Sequence, residues 1–497
     1  MPRDDAHRRG RSVEVKPLHS RHSSYPNSMS ASHKAFKAVV IPRMSSRQWI
    51  ALGLGAFFAL ILLSQAIGPK SSPWRISDEA FTFPSQGVVA RPNEDVSLDL
   101  SQVLVGPPTK HFRDNLRNET RYLTSWLSAG FTNDVMTLGN LIYLAMITNR
   151  IPILPPVDSY IGKRPNPMPF SAIFDLPRLR RALNIPVLEW QEVKDPRSEE
   201  TDILGCWNIF EVDDMRASGP RESRNPISLV LDISYTRAPT SVKLIPGFIH
   251  DAHSSFWALA PLAFPDMRAK ALASPEVVTT PGVRTGTSTP PDEQLLCFDY
   301  LFYVSADVPF EYDRDVYPSW HAVQRHFRWT SEVEKLGGEY LRRVLNVTEH
   351  DPIPLHITIH ARHGDFKNWC NELDPQDCFA PLSVFAVRIA EIQKELLERK
   401  GVHVEHVIVT SDEEDEKWWD KVKAMGWLRI DHAKERTAET HGEWYPVILD
   451  AYVQSAGLGF VGTDRSTFST VARRRVQDWH DGAVRTVRWG RPDADTH

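Results

Sequence analysis

The chain has 497 residues, of which 41% are hydrophobic, 24% charged and 10% aromatic, with a formal net charge of −5. At about 150 residues per domain this suggests roughly three units, large enough to bury real cores, and it excludes a disordered or collagen-like protein. The acidic balance argues against a nucleic-acid binder, and four cysteines, Cys206, Cys297, Cys370 and Cys378, are too few for a disulfide-dense scaffold and lack zinc-site spacing.

Charge is unevenly spread. Residues 1–48 carry ten Lys/Arg against three Asp/Glu, a net +7, which leaves −12 for the remainder. This Ser-, His- and Arg-rich stretch has no apolar period and is expected to be a disordered cytosolic tail. Residues 49–67, WIALGLGAFFALILLSQAI, hold no charge. At about 1.5 Å per residue they reach the roughly 30 Å hydrocarbon thickness, which predicts a transmembrane signal-anchor. A core helix is disfavoured by the length and the basic flank; a cleaved signal is disfavoured, though not excluded, by so late a start. The positive-inside rule keeps the tail cytosolic and puts everything after the span across the membrane. Residues 68–108, proline-containing with one short apolar patch, read as a stem.

Beyond the stem, short apolar runs alternate with helical patterns. A strand is expected over 122–126, a loop over 127–133, a helix over 134–148 and a strand over 151–154 closed by Pro155-Pro156. Residues 279–293 (TTPGVRTGTSTPPDE) are too rich in Pro, Gly and Thr for regular structure. The C-terminal half predicts strands at 355–360, 406–410, 428–430 and 459–462, with helices at 381–399, 413–425, 444–454 and 466–477. Alternation of this kind implies parallel sheets covered on both faces, with ligands beyond the carboxyl ends of the strands.

Three such loops carry candidate chemistry. Ser128-Ala-Gly-Phe-Thr-Asn133 leads into a helix N-terminus, where Gly130 permits close approach and free N–H groups favour an anion; equally, Thr132 or Asn133 can simply cap the helix. His360-Ala-Arg362-His363-Gly364-Asp365 continues a strand, so His360 and Arg362 share one side at its carboxyl end. Arg362 there can neutralise a diphosphate, or it can pair with Asp365 while His360 is satisfied in the core. In the third, Asp464-Arg-Ser466-Thr467-Phe468-Ser469, the hydroxyls can cap a helix or donate to a phosphate. Asp450 lies 16 residues before Ser466 on an amphipathic helix, by default a solvated acid. The run Asp412-Glu-Glu-Asp415 suits a hard cation less well than it suits the first turn of a helix, whose dipole it complements. Asn118 and Asn346 head glycosylation sequons.

Taken in order, these segments resemble those of the GDP-fucose protein O-fucosyltransferases. HARHGDFKNWC is similar to the family's His-x-Arg-x-Gly-Ser-Asp-Trp-Lys-Asn-x-Cys, AGFTN to its Gly-Arg-Phe-Gly-Asn loop, and DRSTFS to its Ser-Ser-Phe segment. The step from Asp450 to Ser466 matches that of the family's donor-contacting aspartate. The resemblance covers roughly 120–160 and 350–480. It implies an α/β fold of the GT-B type, two Rossmann-like doubly wound halves facing a cleft, here divided at 109–348 (acceptor side) and 349–497 (GDP-sugar side). It also implies that His360 and Arg362 contact the diphosphate, that Asp450 holds donor polar groups, and that Ser466, Thr467 and Phe468 line the phosphate and base site. Gly130, Phe131, Thr132 and Asn133 would approach the donor, Asn133 near the acceptor hydroxyl. Two departures stand out: the loop lacks the family's Arg before Phe131, and the turn at Gly364-Asp365 is one residue short.

The expected activity is fucose transfer from GDP-fucose to a protein or glycan hydroxyl, inverting and metal-independent, with no cofactor beyond the donor substrate. Arg362 and the helix start at Ser466 would stabilise charge on the leaving diphosphate. An anchored enzyme of the Golgi or endoplasmic reticulum lumen fits a stem after a membrane span. The rival readings are a lectin-like or scaffold protein keeping the fold without catalysis, and a transferase using another nucleotide sugar. In an oxidising lumen Cys370 and Cys378 are placed for a short-range disulfide, with pairing to Cys206 and Cys297, or free thiols, as the alternatives.

Overall fold

The computed structural model describes residues 99–158, 166–211, 219–248 and 250–496. The expected tail, the span at 49–67 and residues 68–98 of the expected stem lie outside them. Among the described residues no helix is long and apolar enough to cross a membrane.

Among the described residues fourteen strands follow in chain order: β1 (Tyr122–Ser125), β2 (Ile151–Leu154), β3 (Leu188–Glu189), β4 (Asp202–Asn208), β5 (Leu231–Arg237), β6 (Ser254–Ser255), β7 (Thr279–Thr280), β8 (Leu295–Phe298), β9 (Val304–Ser305), β10 (His356–Ala361), β11 (His406–Ser411), β12 (Leu428–Arg429), β13 (Gly459–Thr463) and β14 (Ala483–Val487). The longer helices are α1 (Phe131–Ile147), α2 (Ser331–Leu345), α3 (Leu382–Lys400), α4 (Glu416–Ala424), α5 (Tyr445–Ala456) and α6 (Thr467–His480).

The first half carries a seven-stranded sheet in the order β3-β2-β1-β8-β4-β5-β7, and the second a five-stranded sheet in the order β12-β11-β10-β13-β14. The second is parallel throughout. The first is mixed, because β7 runs antiparallel to β5. This edge strand opens the segment expected to be irregular, and the rest of that segment is pinned by Asp232, which accepts the N–H groups of Arg284 and Thr285. Strands covered on both faces read as continuous apolar runs, and all six residues of β10 are buried.

The stem boundary moves. Val103 and Leu104 are buried in the core of the first sheet, and Leu104 bridges to Leu116, so the described end of the stem belongs to the folded body. Helix α1 starts three residues earlier than the sequence suggests, at Phe131, where Phe131, Thr132 and Asp134 of its first turn are buried and Phe131 and Thr132 meet Trp444 and Thr467 of the opposite half. One apolar cluster runs from Leu123 and Phe131 to Trp444 and Val471 and so joins both halves.

Helix α6 fastens the halves further. Thr470 Oγ1 donates to Asp313 Oδ1 at 2.9 Å, the Arg474 guanidinium donates to the Tyr312 carbonyl at 3.0 Å, and the indole N–H groups of Trp320 and Trp479 reach Asp478 Oδ2 (2.7 Å) and the Arg325 carbonyl (2.9 Å). Two disulfides are present: Cys206–Cys297 ties β4 to β8, and Cys370–Cys378 closes a short loop after β10.

Candidate active site

In each sheet the strand order reverses at one place. The chain runs β1, β2, β3 toward one edge and then crosses to β4 on the far side, so one reversal lies beside β1; in the second sheet it lies at β10, flanked by β11 and β13. Loops leaving the carboxyl ends of strands at such reversals form a crevice. Those loops are Leu127–Gly130 after β1, Arg362–Asp365 after β10 and Asp464–Ser466 after β13.

His360, at the end of β10, is 5% exposed. Its Nδ1 lies 2.8 Å from Ser469 Oγ and its ring 5.0 Å from that of Phe468. Burial, reinforced by the charges of Arg362 and His363, pushes its pKa down to about 3, so the ring is neutral near pH 7. Arg362 is the first residue past the strand. Its backbone N–H donates to Thr463 Oγ1 at 2.9 Å, and its guanidinium bridges two carboxylates, Nη1 to Asp412 Oδ2 at 2.5 Å and Nη2 to Asp365 Oδ1 at 2.6 Å. Pairing with Asp365 and seating of His360 in the core, the bland alternatives from the sequence, are both present, and they leave Arg362 at the crevice with 31% of its side chain exposed.

Asp412 and Glu413 correct an expectation. They do not sit in a helical first turn: α4 begins at Glu416 with Asp415 as its N-cap. Asp412 also accepts the His363 N–H at 2.8 Å, and Glu413 Oε2 lies 2.7 Å from His363 Nδ1. Burial works against the Glu413 carboxylate, but the Asp415 N–H and His363 outweigh it and hold its pKa below the usual range. Gly364 is required here for room, since a Cβ would lie 2.0 Å from Asp412 Oδ2. A run of acids after an apolar strand gave no hint that two of them turn back onto the loop after the neighbouring strand, Asp412 onto Arg362 and Glu413 onto His363.

The loops from the two halves meet through hydroxyls. Thr467, in the first turn of α6, donates from Oγ1 to Asn133 Oδ1 at 2.6 Å and lies 3.1 Å from Thr132 Oγ1. Thr132 and Asn133 do not cap α1: the N-cap is Gly130, with no side-chain cap. Ser466 does cap α6, accepting the Ser469 N–H at 3.4 Å. Phe131 is 2% exposed and packs 6.4 Å from the ring of Trp444, so it braces the loop from inside. Gly130 has open space around it.

Asp450 stands apart from this group, its Oδ1 3.1 Å from His432 Nε2. Burial opposes charge on His432, but Asp450 more than offsets it and raises the imidazole pKa. Asn118 and Asn346 are both exposed. Arg221 was not singled out from the sequence, yet its guanidinium holds Ser128 through Oγ (3.2 Å) and the carbonyl (2.9 Å), so a basic residue does reach the loop that lacks its own. It is delivered there by buried Asp299 at the end of β8, which accepts the Arg221 N–H at 3.1 Å. Among the described residues no group of three or more His, Cys, Asp or Glu could hold a metal ion.

A family model described as GDP-fucose protein O-fucosyltransferase (O-FucT) matches residues 122–477. No curated protein matches. Among solved structures the chain is similar to POFUT1 in complex with GDP-fucose, at 14% identity over 75% of this chain and 99% of that one with a TM-score of 0.44. It is also similar to the fucosyltransferase NodZ from Bradyrhizobium, at 13% identity over 72% and 93% with a TM-score of 0.35.

Proposed function

From the premise that this chain belongs to the GDP-fucose protein O-fucosyltransferase family and is a glycosyltransferase, we propose that it moves fucose from GDP-fucose to a protein or glycan hydroxyl with inversion and without a metal. The observation that supports this most is the meeting of the N-terminal turns of α1 and α6 through Thr467, Asn133 and Thr132, with Arg362 on the loop after β10, whose backbone N–H is tied to Thr463 at the end of β13. Both turns present backbone N–H groups and the positive end of a helix dipole, the ordinary means of holding a phosphate.

In this reading the acceptor oxygen attacks C1 of fucose, the bond from C1 to the β-phosphate oxygen breaks, and GDP leaves with that electron pair. Charge grows on the diphosphate, and Arg362 exchanges at least one carboxylate for it. The pair with Asp365 is the weaker one, because Asp365 is 64% exposed and exposed bridges contribute only about 0.2–1 kcal/mol. Thr467 and Ser466 supply hydroxyls beside the α6 N–H groups, and Phe468 walls the site next to neutral His360. Asn133 orients the acceptor; its amide cannot take the proton, which is lost to water. Asp450 with His432 holds a more distant polar part of the donor. The anchoring span and a lumenal location in the Golgi or endoplasmic reticulum complete the proposal.

Arg362→Ala in the purified protein tests it. GDP release from GDP-fucose is expected to fall by about 10²-fold or more, the usual effect of removing one preorganised donor, with the thermal midpoint little changed. Unchanged turnover overturns the role of Arg362. Failure of the wild-type protein to bind GDP at millimolar concentration overturns the transferase reading itself.

A further inference from the structure

On the opposite edge of the second sheet, a cavity of about 300 Å³ lies around the amino ends of β10 and β13. Six residues of β10 separate it from Arg362, about 20 Å at the rise of a strand, so it is no part of the crevice. Its walls include Trp329, Trp479, Tyr452, Arg328 and His356.

Two features of this cavity are unusual. The first is an acceptor without a donor. His356 is 2% exposed, and its Nδ1 lies 3.0 Å from the Pro354 carbonyl. A carbonyl only accepts, so Nδ1 carries the proton and Nε2 presents a lone pair. Burial lowers the His356 pKa and keeps the ring neutral, with the Pro354 carbonyl opposing. Nε2 is buried with no hydrogen-bond partner, an arrangement that costs about 1–3 kcal/mol unless something donates to it.

The second is positive charge without an ion pair. The Arg328 guanidinium lies 4.2 Å over the Trp479 ring, and behind the indoles Arg475, 2% exposed, sits 4.3 Å from the Trp329 ring. Neither guanidinium has an ion pair or side-chain hydrogen bond among the described residues, and the Arg475 Nε is buried and unpartnered. Burial first, and then the charge of Arg328, lower the Arg475 pKa only to about 9, so it remains a cation at neutral pH. Buried charges are ordinarily paired. Glu334 is the one acid among the residues lining the cavity.

Aromatic walls, a buried unpartnered acceptor on a residue of the lining and guanidinium groups without an ion pair select one ligand chemistry. We propose that this cavity is a second carbohydrate site, which takes a pyranose ring bearing a carboxylate. The ring's C–H face packs on Trp479 and Tyr452, a hydroxyl donates to His356 Nε2, and the carboxylate faces Arg328 with Arg475 behind it. The site is independent of the donor crevice, and the protein holds an acidic sugar of a glycan there whether or not GDP is bound.

Saturation-transfer NMR on the whole protein, with methyl β-glucuronide and methyl β-glucoside as probes, tests this. The glucuronide is expected to bind at least tenfold more tightly, and saturating GDP to leave that binding unchanged. Arg328→Gln is expected to erase the preference, and His356→Phe to weaken both sugars alike; the thermal midpoint and GDP affinity of each variant serve as folding checks. Equal affinity for the two probes, no transfer to either, displacement by GDP, or an Arg328→Gln protein that keeps the preference would each overturn the proposal. Absence of GDP binding in the wild type would sink the transferase reading and leave this one standing.

Discussion

If Arg362 acts on the diphosphate as proposed, Asp412→Asn separates two effects of Asp412 on it: competition with the diphosphate for the guanidinium, and aiming of that guanidinium. The carboxylate accepts Arg362 Nη1 at 2.5 Å and the His363 N–H at 2.8 Å. Unit charges about 4 Å apart interact by roughly 4 kcal/mol at an effective dielectric of 20. Here both side chains are near 30% exposed, 31% for Arg362 and 28% for Asp412, and solvent screening reduces the net value to about 1 kcal/mol. Asparagine keeps a carbonyl for the His363 N–H and needs no more room beside Gly364, so the loss of stability is expected to stay near that 1 kcal/mol. Relieving the competition should tighten GDP binding about fivefold, the equivalent of 1 kcal/mol. Loss of aim should lower kcat for GDP release about tenfold, or 1.4 kcal/mol. Titration calorimetry with GDP at constant salt and a GDP-release assay read the two effects separately. If GDP binds more weakly while kcat is unchanged, Asp412 neither competes with the phosphates nor aims Arg362.

Thr467→Val removes the two contacts of its hydroxyl with Asn133 and Thr132 while keeping the shape; kcat/KM is expected to fall about tenfold with about 1 kcal/mol lost in denaturant unfolding, and unchanged kcat/KM would free the α6 turn of any role in turnover. Because the folded-state pKa of His360 is depressed to about 3, the unfolded chain binds its proton first and stability falls as pH drops below about 6.5. The wild type should lose about 2 kcal/mol from this group between pH 8 and pH 5, a loss that is absent from His360→Gln in parallel urea titrations. Removing Cys206 and Cys297, 91 residues apart, should cost about 4–5 kcal/mol by loop entropy, against about 2–3 kcal/mol for Cys370 and Cys378 with their separation of 8. Equal shifts in thermal midpoint for the two double alanine variants would contradict that ordering.

The β1–α1–β2 unit and four of the five strands of the second sheet were legible in the sequence because their strands are short apolar runs and their helices repeat apolar residues at three and four. β4 and β5 were not. Their buried faces include Gly205, Asp232, Ser234 and Thr236, whose partners come from the distant segment at 279–292, so no local pattern marks them as core. β14 escaped notice because Arg485 and Thr486 interrupt it, and the arginine is held by Glu391 and Glu395 of α3, an arrangement invisible without the packing. At the crevice the strand-end placement of His360 and Arg362 followed from alternation alone. The residues packed around them, Asp412, Glu413, Thr463 and Ser469, and Arg221 behind the loop after β1, depend on which strands lie side by side, and nothing in the linear chain orders the strands.

The bracing of α6 bears on how a substrate enters. A two-lobed enzyme commonly opens by swinging one lobe against the other, which requires a boundary that can part. Here the helix that supplies part of the crevice is bolted to the first lobe by Thr470, Arg474, Asp478 and Trp479, and apolar side chains of both lobes share one cluster. Swinging would shear these contacts together at several points along a single helix. The moving parts are therefore small: the Arg362–Asp365 turn, whose outer carboxylate is already in water, and the exposed Arg465 that leads into α6. Entry becomes a matter of side chains changing partners at a fixed frame, so its rate should follow ionic strength more closely than solvent viscosity.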